Sequence, residues 1–125
     1  MTGKHLLIDL WTPDRELLRA VEPLWSRLLA ATQASGAQVL HTYAHQFTPQ
    51  GMSGMILIAE SHVSIHTWPE EGYVAMDILS CGHVDPETLV REFTRGLQIT
   101  RRRVSLQTRG DGGSSAVYTQ ESRHG

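Results

Sequence analysis

Cysteine, aromatic residues and long apolar runs are all scarce in this chain of 125 residues. The single cysteine, Cys81, has no partner for an internal disulfide bond, so packing alone must hold the fold. The longest uninterrupted apolar run covers residues 55–59, far below the roughly 20 residues that a membrane-spanning helix needs. Asp9 interrupts the amino-terminal segment before the apolar stretch of a secretory signal can form. These absences predict a cytoplasmic protein with no membrane contact.

A large net charge is absent as well. The formal net charge is -2 at pH 7, with 19% charged and 40% hydrophobic residues. Such a chain has no basic field with which to coat nucleic acid, so we predict no nucleic-acid partner. The length suits one domain, which would bury roughly two-thirds of the surface that the unfolded chain exposes.

Apolar periodicity predicts an α+β protein. The predicted strands cover residues 5–10, 39–47, 51–60, 61–68 and 73–80, with a last strand around residues 104–106. One helix is predicted between Pro23 and Gly36, and a second after Asp85, with Leu89, Phe93 and Leu97 as its buried stripe. This order indicates a two-layer sandwich with helices on one face of a mainly antiparallel sheet. The uncovered face predicts a homodimer in which two sheets pair.

The composition changes near the carboxyl end. After Arg109 the chain consists largely of glycine, serine, aspartate and threonine, with only Val117 and Tyr118 to bury. We therefore predict a folded domain over residues 1–108 and a disordered tail over residues 109–125.

Reactive side chains are concentrated in residues 60–70, and Cys81 and His83 follow one strand later. Histidine and cysteine are zinc ligands. However, His62 and His66 would stand about 13 Å apart on an extended strand, so we predict no metal site. A serine or the cysteine could instead be a nucleophile that a histidine activates. Taken singly, each of these residues is also common on a half-exposed strand and then has only a structural role.

Three blocks of uncommon residues stand in order along the chain. They are Gly3-Lys4-His5-Leu6, then His45-x-Phe47-x-Pro49-x-Gly51-x-Ser53-Gly54, then Glu60-Ser61-His62-x-Ser64-Ile65-His66-Thr67-Trp68-Pro69-Glu70 with Gly72-Tyr73, Asp77 and Cys81-Gly82. Together they resemble the prokaryotic pyruvoyl-dependent S-adenosylmethionine decarboxylase proenzymes. The resemblance covers roughly residues 3–108, and three ordered blocks are far more specific than one short motif.

The resemblance implies that the chain cuts itself between Glu60 and Ser61. The Ser61 hydroxyl would attack the Glu60 carbonyl, and an ester would replace the amide. Elimination would then release residues 1–60 and leave a pyruvoyl cofactor, derived from Ser61, on residues 61–125. By the same resemblance, His66 is the processing base and Ser53 an assisting hydroxyl. Ser61 and His66 have opposite parity on a strand, so we expect a turn or bulge between them.

The resemblance also implies that the substrate is S-adenosylmethionine, whose decarboxylated form donates aminopropyl groups in spermidine synthesis. The pyruvoyl carbonyl would form a Schiff base with the substrate amine and withdraw electrons, as pyridoxal phosphate does. By the same resemblance, Cys81 matches the family's proton donor. A thiol suits this role, because it ionises close enough to neutral pH to give and regain a proton. Phe47 matches the residue that stacks on adenine and Glu70 the ligand of the ribose hydroxyls, with Trp68 nearby.

Two other functions stay open at this point. The same scaffold serves decarboxylases of arginine or ornithine, and Glu70 with Glu71 would suit a guanidinium or ammonium group. Phe47 together with Glu70 favours the nucleoside substrate. The chain could also be an uncut partner or ligand-binding subunit, although it retains every residue of the catalytic type.

Overall fold

The structure, a computed structural model, describes residues 2–111 and 117–123. This part of the chain forms one seven-stranded sheet and two α-helices. The strands are β1 (Gly3–Trp11), β2 (Gln38–Gln46), β3 (Met52–Ala59), β4 (Ser61–Trp68), β5 (Tyr73–Ser80), β6 (Arg101–Arg109) and β7 (Val117–Arg123); the helices are α1 (Leu24–Ala34) and α2 (Pro86–Thr94). The spatial order is β2-β3-β4-β5-β1-β6-β7, with every neighbouring pair antiparallel. The predicted α+β sandwich is confirmed.

One face of the sheet forms the hydrophobic core with both helices. Alternate residues of the central strands point into it, among them Leu6, Ile8, Leu10, Ile56, Ile58, Val63, Ile65 and Ile78. Leu28 of α1 and Phe93 of α2 are buried against them, and burying a side chain of this size stabilises a fold by about 1.5–3 kcal/mol. Since strand residues alternate between faces, the residues in between lie on the opposite face. We call that face, which the helices of the described chain leave uncovered, the open face.

Local signals set the ends of both helices. α1 begins directly after Pro23, and Gly36 follows its end with a φ of 92°. The Asp85 side chain caps α2 by accepting a backbone N–H hydrogen bond at 3.2 Å. α2 ends at Thr94, and Arg95, with a ψ of 123°, is no longer helical. Leu97 therefore lies beyond α2, so its predicted place in the helix stripe is wrong, although it does pack against the core. Neither helix is long and apolar enough to cross a membrane.

A close contact between α1 and β3 fixes the strand that carries Ser53. The neighbouring residue, Gly54, faces the indole of the buried Trp25, and a Cβ at Gly54 would overlap that ring. β3 also forms the predicted hairpin with β2, and the Phe47 amide donates to the Gly51 carbonyl at 2.8 Å across its turn. These contacts hold the hairpin rigidly over the helix layer.

The predicted disordered tail is wrong for residues 117–123, which form β7 and pair with β6. Arg101 and Arg103 on β6 form ion pairs with Glu121, and the hydroxyls of Ser105 and Thr119 lie 3.0 Å apart. Cross-strand polar pairs of this kind stabilise a sheet without much apolar burial, which is why composition alone misses this strand. Arg109, the first residue of the predicted tail, is the last residue of β6. Residues 112–116 and 124–125 of that tail lie outside the described residues.

Candidate functional site

The two faces of β4 are those that its alternating sequence predicts. Val63, Ile65 and Thr67 are buried on the core side. The intervening side chains belong to the open face, namely His62, Ser64, His66 and Trp68. β4 therefore supplies a row of polar and aromatic groups to a face that no helix of the described chain covers.

The structure does not bring Ser61 and His66 together within one chain. β4 keeps an unbroken register with β3 over residues 61–66 and with β5 over residues 62–68, so the expected turn or bulge is wrong. A one-residue insertion would turn Val63 and Ile65 out of the core, and pairing on both sides of β4 opposes it. Five residues at about 3.3 Å each separate Ser61 from His66 by about 17 Å. Their side chains also point to opposite faces of the sheet.

His66 is instead paired with Ser53 at one end of the open face. The two residues are register partners on β4 and β3, and Ser53 Oγ lies 2.7 Å from His66 Nδ1. The Trp68 ring is 6.2 Å from the His66 ring. An imidazole that is hydrogen-bonded to a hydroxyl is suited to moving a proton to or from a neighbouring group.

The predicted substrate-binding residues lie at the same end. Phe47 follows β2 directly, and its ring meets that of His45 edge-on with centroids 4.7 Å apart. Glu70 lies in the 3₁₀ turn after β4, where it accepts a hydrogen bond of 3.1 Å from Gln50. We call this group the histidine end; it comprises Ser53, His66, Phe47, Trp68 and Glu70.

Glu60, Ser61 and Cys81 form a second group, the cleavage end, at the opposite end of β4. Glu60 lies in the tight turn between β3 and β4, and Ser61 is the first residue of β4. Cys81 follows β5, and its Sγ lies 3.9 Å from the Glu60 carbonyl oxygen. A cleft of about 400 Å³ opens beside them, with Gly36 and His83 in its lining. A thiol thus lies near the carbonyl of the peptide bond that precedes Ser61, next to an open cleft.

A third group, the Asp77 network, lies at the centre of the open face. Asp77 Oδ2 is 2.7 Å from His5 Nε2 and 2.8 Å from His62 Nε2, while the Ser64 hydroxyl donates to Oδ1. The Arg109 guanidinium lies 3.0 Å from His5 Nδ1. The ligand atoms of His5, His62 and Asp77 lie within 4.8 Å of one another, and this donor set is one that zinc uses. The pair weighed from the sequence, His62 and His66, is not brought together.

The hydrogen bonds to Asp77 favour its charged form. Burial opposes ionisation, but the bonds from Ser64, His5 and His62 outweigh it and hold the pKa of Asp77 below its usual range. Sequence reasoning did not find this network. Strand parity places its members on one face, but their contact depends on the order β4-β5-β1, which no single segment reveals.

A row of aromatic rings supports Trp68 at the histidine end. Tyr73 stacks on Trp68 with centroids 5.3 Å apart and lies 5.2 Å from Trp11. The Arg101 guanidinium lies over the Trp11 ring at 4.2 Å from its centroid. The Tyr73 hydroxyl donates to Asp9. This row limits the movement of Trp68.

We expect Tyr73 to lose its phenol proton at a higher pH than an ordinary tyrosine. Burial, together with the hydrogen bond to Asp9, raises the pKa of Tyr73 to about 12. Because the folded state holds the phenol proton more tightly than the unfolded state, this proton stabilises the fold. The stabilisation is complete below about pH 10, the ordinary tyrosine pKa, and it is lost as the pH rises toward 12. Phenolate absorbance should show a last phase near pH 12 that Tyr73→Phe removes. Complete titration of all tyrosines of the folded wild type near pH 10 would contradict this expectation.

Fold and site together define a small α+β protein that pairs a hydroxyl with an imidazole on its open face and holds a thiol near a backbone carbonyl at one edge. Comparison with known proteins makes the assignment specific. Residues 4–110 match the S-adenosylmethionine decarboxylase family. The S-adenosylmethionine decarboxylase proenzyme of Methanococcus aeolicus is 47% identical over 97 residues, which are 74% of this chain and 83% of that protein. The corresponding proenzyme of Thermotoga maritima is 38% identical over 109 residues, or 86% and 84% of the two chains.

A solved structure shows the same fold. The adenosylmethionine decarboxylase from Aquifex aeolicus superposes with a TM-score of 0.70 at 33% identity, covering 86% of this chain and 88% of that one. The chain belongs to the S-adenosylmethionine decarboxylase family, and the resemblance carried by the three sequence blocks is confirmed. β7 lies beyond the residues that match the family.

Proposed function

We propose that the protein is a self-processing decarboxylase that converts S-adenosylmethionine to decarboxylated S-adenosylmethionine for spermidine synthesis. The observation that carries the proposal is the cleavage end: Ser61 directly follows the turn residue Glu60, whose carbonyl faces the thiol of Cys81. Family membership supports the same activity. The single cysteine, which excludes an internal disulfide bond, supports a cytoplasmic location.

Processing begins at the peptide bond between Glu60 and Ser61. The Ser61 hydroxyl attacks the Glu60 carbonyl, and an ester bond to the serine oxygen replaces the amide bond as the Ser61 nitrogen becomes an amine. A base then removes the α-proton of residue 61, and the bond between its Cβ and the ester oxygen breaks, so that this oxygen leaves with Glu60 as a carboxylate. Water converts the remaining dehydroalanine to a pyruvoyl group with loss of ammonia. The products are a 60-residue chain and a 65-residue chain, which together make up the 125 residues.

The same two groups of residues serve decarboxylation. The pyruvoyl group supplies a carbonyl that binds the substrate amine and accepts the electrons released with carbon dioxide. Cys81, at the cleavage end, returns a proton to the substrate carbon. Phe47 and Trp68 offer aromatic faces to the adenine and the sulfonium cation, and Glu70 binds the ribose hydroxyls.

The separation of the two ends supports a homodimer. Ser61 lies about 17 Å along β4 from His66, so a complete site needs the histidine end of a second copy. The open face also carries large side chains that are 40% to 64% exposed: Leu7, Tyr43, Phe47, Met55, Leu57 and Trp68. Pairing two open faces head to tail buries these side chains and brings each cleavage end toward a histidine end.

Release of labelled carbon dioxide from S-adenosylmethionine, arginine and ornithine tests the substrate. We expect release from S-adenosylmethionine at least about 100-fold faster than from either amino acid, because neither amino acid has a ring to stack on Phe47 or a ribose for Glu70. Phe47→Ala should reduce this preference through a higher KM. A preference for arginine or ornithine would instead favour the alternative in which Glu70 and Glu71 bind a basic side chain.

A further inference from the structure

The Asp77 network reaches the residue next to the proposed cut. His62 is bonded to Ser61 through the backbone, and its side chain lies 2.8 Å from Asp77. In the intact chain, the hairpin turn at Glu60 connects this end of β4 to β3. Ser61 itself pairs only with Ile58 of β3, whereas the ladder with β5 begins at His62. Cutting at residue 61 therefore turns a connected hairpin into a free strand end, the kind of segment that frays unless it is tied down.

The hydrogen-bond directions in the network follow from its outermost member. A guanidinium can only donate, so Arg109 donates to His5 Nδ1 at 3.0 Å. In neutral His5 the proton is then on Nε2, which donates to Asp77. This proton occupies the position that a metal would need, and it favours a hydrogen-bond network over a metal site. With Ser64 on the other carboxylate oxygen, the network connects β6, β1, β5 and β4 in one continuous series.

Resting on the proposed self-cleavage, we propose that the Asp77 network is a clamp that holds the new amino-terminal end of β4 in place after the chain is cut. Asp77 and His62 act as positioning residues. Their role is to fix the backbone to which the pyruvoyl group is attached. A displacement of about 1 Å at a reacting group can cost about 100-fold in rate, so a frayed end would be poorly active.

The clamp is tested by comparing Asp77→Asn with a matched control, Glu22→Gln. Glu22, before α1 on the helix side, also accepts a hydrogen bond from a serine hydroxyl, that of Ser26 at 2.6 Å. Both variants should be cut, because the intact hairpin holds the precursor without the clamp. In the processed Asp77→Asn enzyme we expect kcat, normalised to trapped pyruvoyl carbonyl, to fall about 10- to 100-fold with KM within about threefold, while Glu22→Gln keeps the wild-type kcat.

A second pair of variants covers the case in which Asp77→Asn does not fold. His62→Gln keeps a donor at the position of Nε2 and should retain most of the wild-type kcat. In His62→Leu, which has no donor there, kcat should fall about 10- to 100-fold, as in Asp77→Asn. Hydrogen exchange separates a clamp from a general loss of stability. Exchange of the amides of residues 62–65 should be faster in processed Asp77→Asn, yet close to the parent rate when Asp77→Asn is combined with the uncut Ser61→Ala chain.

Two results would overturn the clamp while leaving the proposed function intact. One is wild-type kcat in both processed Asp77→Asn and processed His62→Leu. The other is an equal increase in hydrogen exchange in the cut and uncut forms, which indicates a structural role only. If the wild type itself is never cut, it is the proposed function that fails, so the two failures are distinguishable.

Discussion

Replacing Ser61 by alanine is expected to leave a single chain of 125 residues with no decarboxylase activity. The variant lacks the only hydroxyl placed directly after the Glu60 carbonyl, so the acyl shift cannot begin and no pyruvoyl group forms. We expect activity to fall below detection, a loss of at least about 10⁴-fold, because the electron-withdrawing carbonyl is absent altogether. A denaturing gel with intact mass measurement gives the chain length, and carbon dioxide release gives the activity.

Ser105→Ala is the matched control for this experiment. Ser105 lies on β6, also at a strand position, and its hydroxyl contacts only Thr119 at 3.0 Å among the hydrogen bonds of the described residues. This variant should be cut like the wild type. Cleavage between residues 60 and 61 in Ser61→Ala would show that another nucleophile is at work and would refute the processing chemistry.

Mixing two inactive variants is expected to restore cleavage. Ser61→Ala and His66→Ala should each remain uncut alone. In a mixed dimer, the Ser61 of the His66→Ala chain can meet the His66 of its partner, so that chain is cut. With random pairing of equal amounts, up to about a quarter of all chains should be cleaved. The physical reason is the separation of about 17 Å between these residues along one β4 strand.

The fragments are measured by mass after the two variants are co-expressed with distinguishable tags. Only chains that carry His66→Ala should yield fragments. If His66→Ala is cut on its own, His66 is not the processing base. If the wild type is cut but the mixture is not, the site lies within one protomer, and the shared arrangement is wrong.

Most of the fold is predictable because its signals are local. The alternation in residues 61–68 predicts both β4 and the facing of its side chains. Pro23 and Gly36 predict the two ends of α1, and Asp85 predicts the start of α2. Each of these signals depends on the backbone preferences of one short segment, so a single sequence displays it.

The errors concern features that depend on distant partners. β7 owes its place to the pairing of Glu121 with arginines of β6, which a segment rich in glycine and serine does not reveal. The bulge expected between Ser61 and His66 rests on the premise that both residues act within one chain. Continuous pairing of β4 on both sides excludes the bulge, and the conflict is removed if the residues act across two chains.

In the candidate site as well, the sequence predicts the residues but not the contacts between distant ones. The resemblance to the family identified the residues of the two ends, including Ser53 and Cys81, but residue identity carries no distances. The structure adds that Ser53 and His66 form one pair and that Glu60 and Cys81 form another, far from the first. The Asp77 network emerges only when the strand order is known, because its members are up to 104 residues apart in sequence.

Intact mass measurement of the purified wild-type protein, before and after borohydride reduction, tests the central claim most directly. We expect a 60-residue chain that ends at Glu60 and a 65-residue chain whose blocked end gains two hydrogens on reduction, as a ketone does. A single unmodified 125-residue chain that borohydride leaves unchanged would contradict the account.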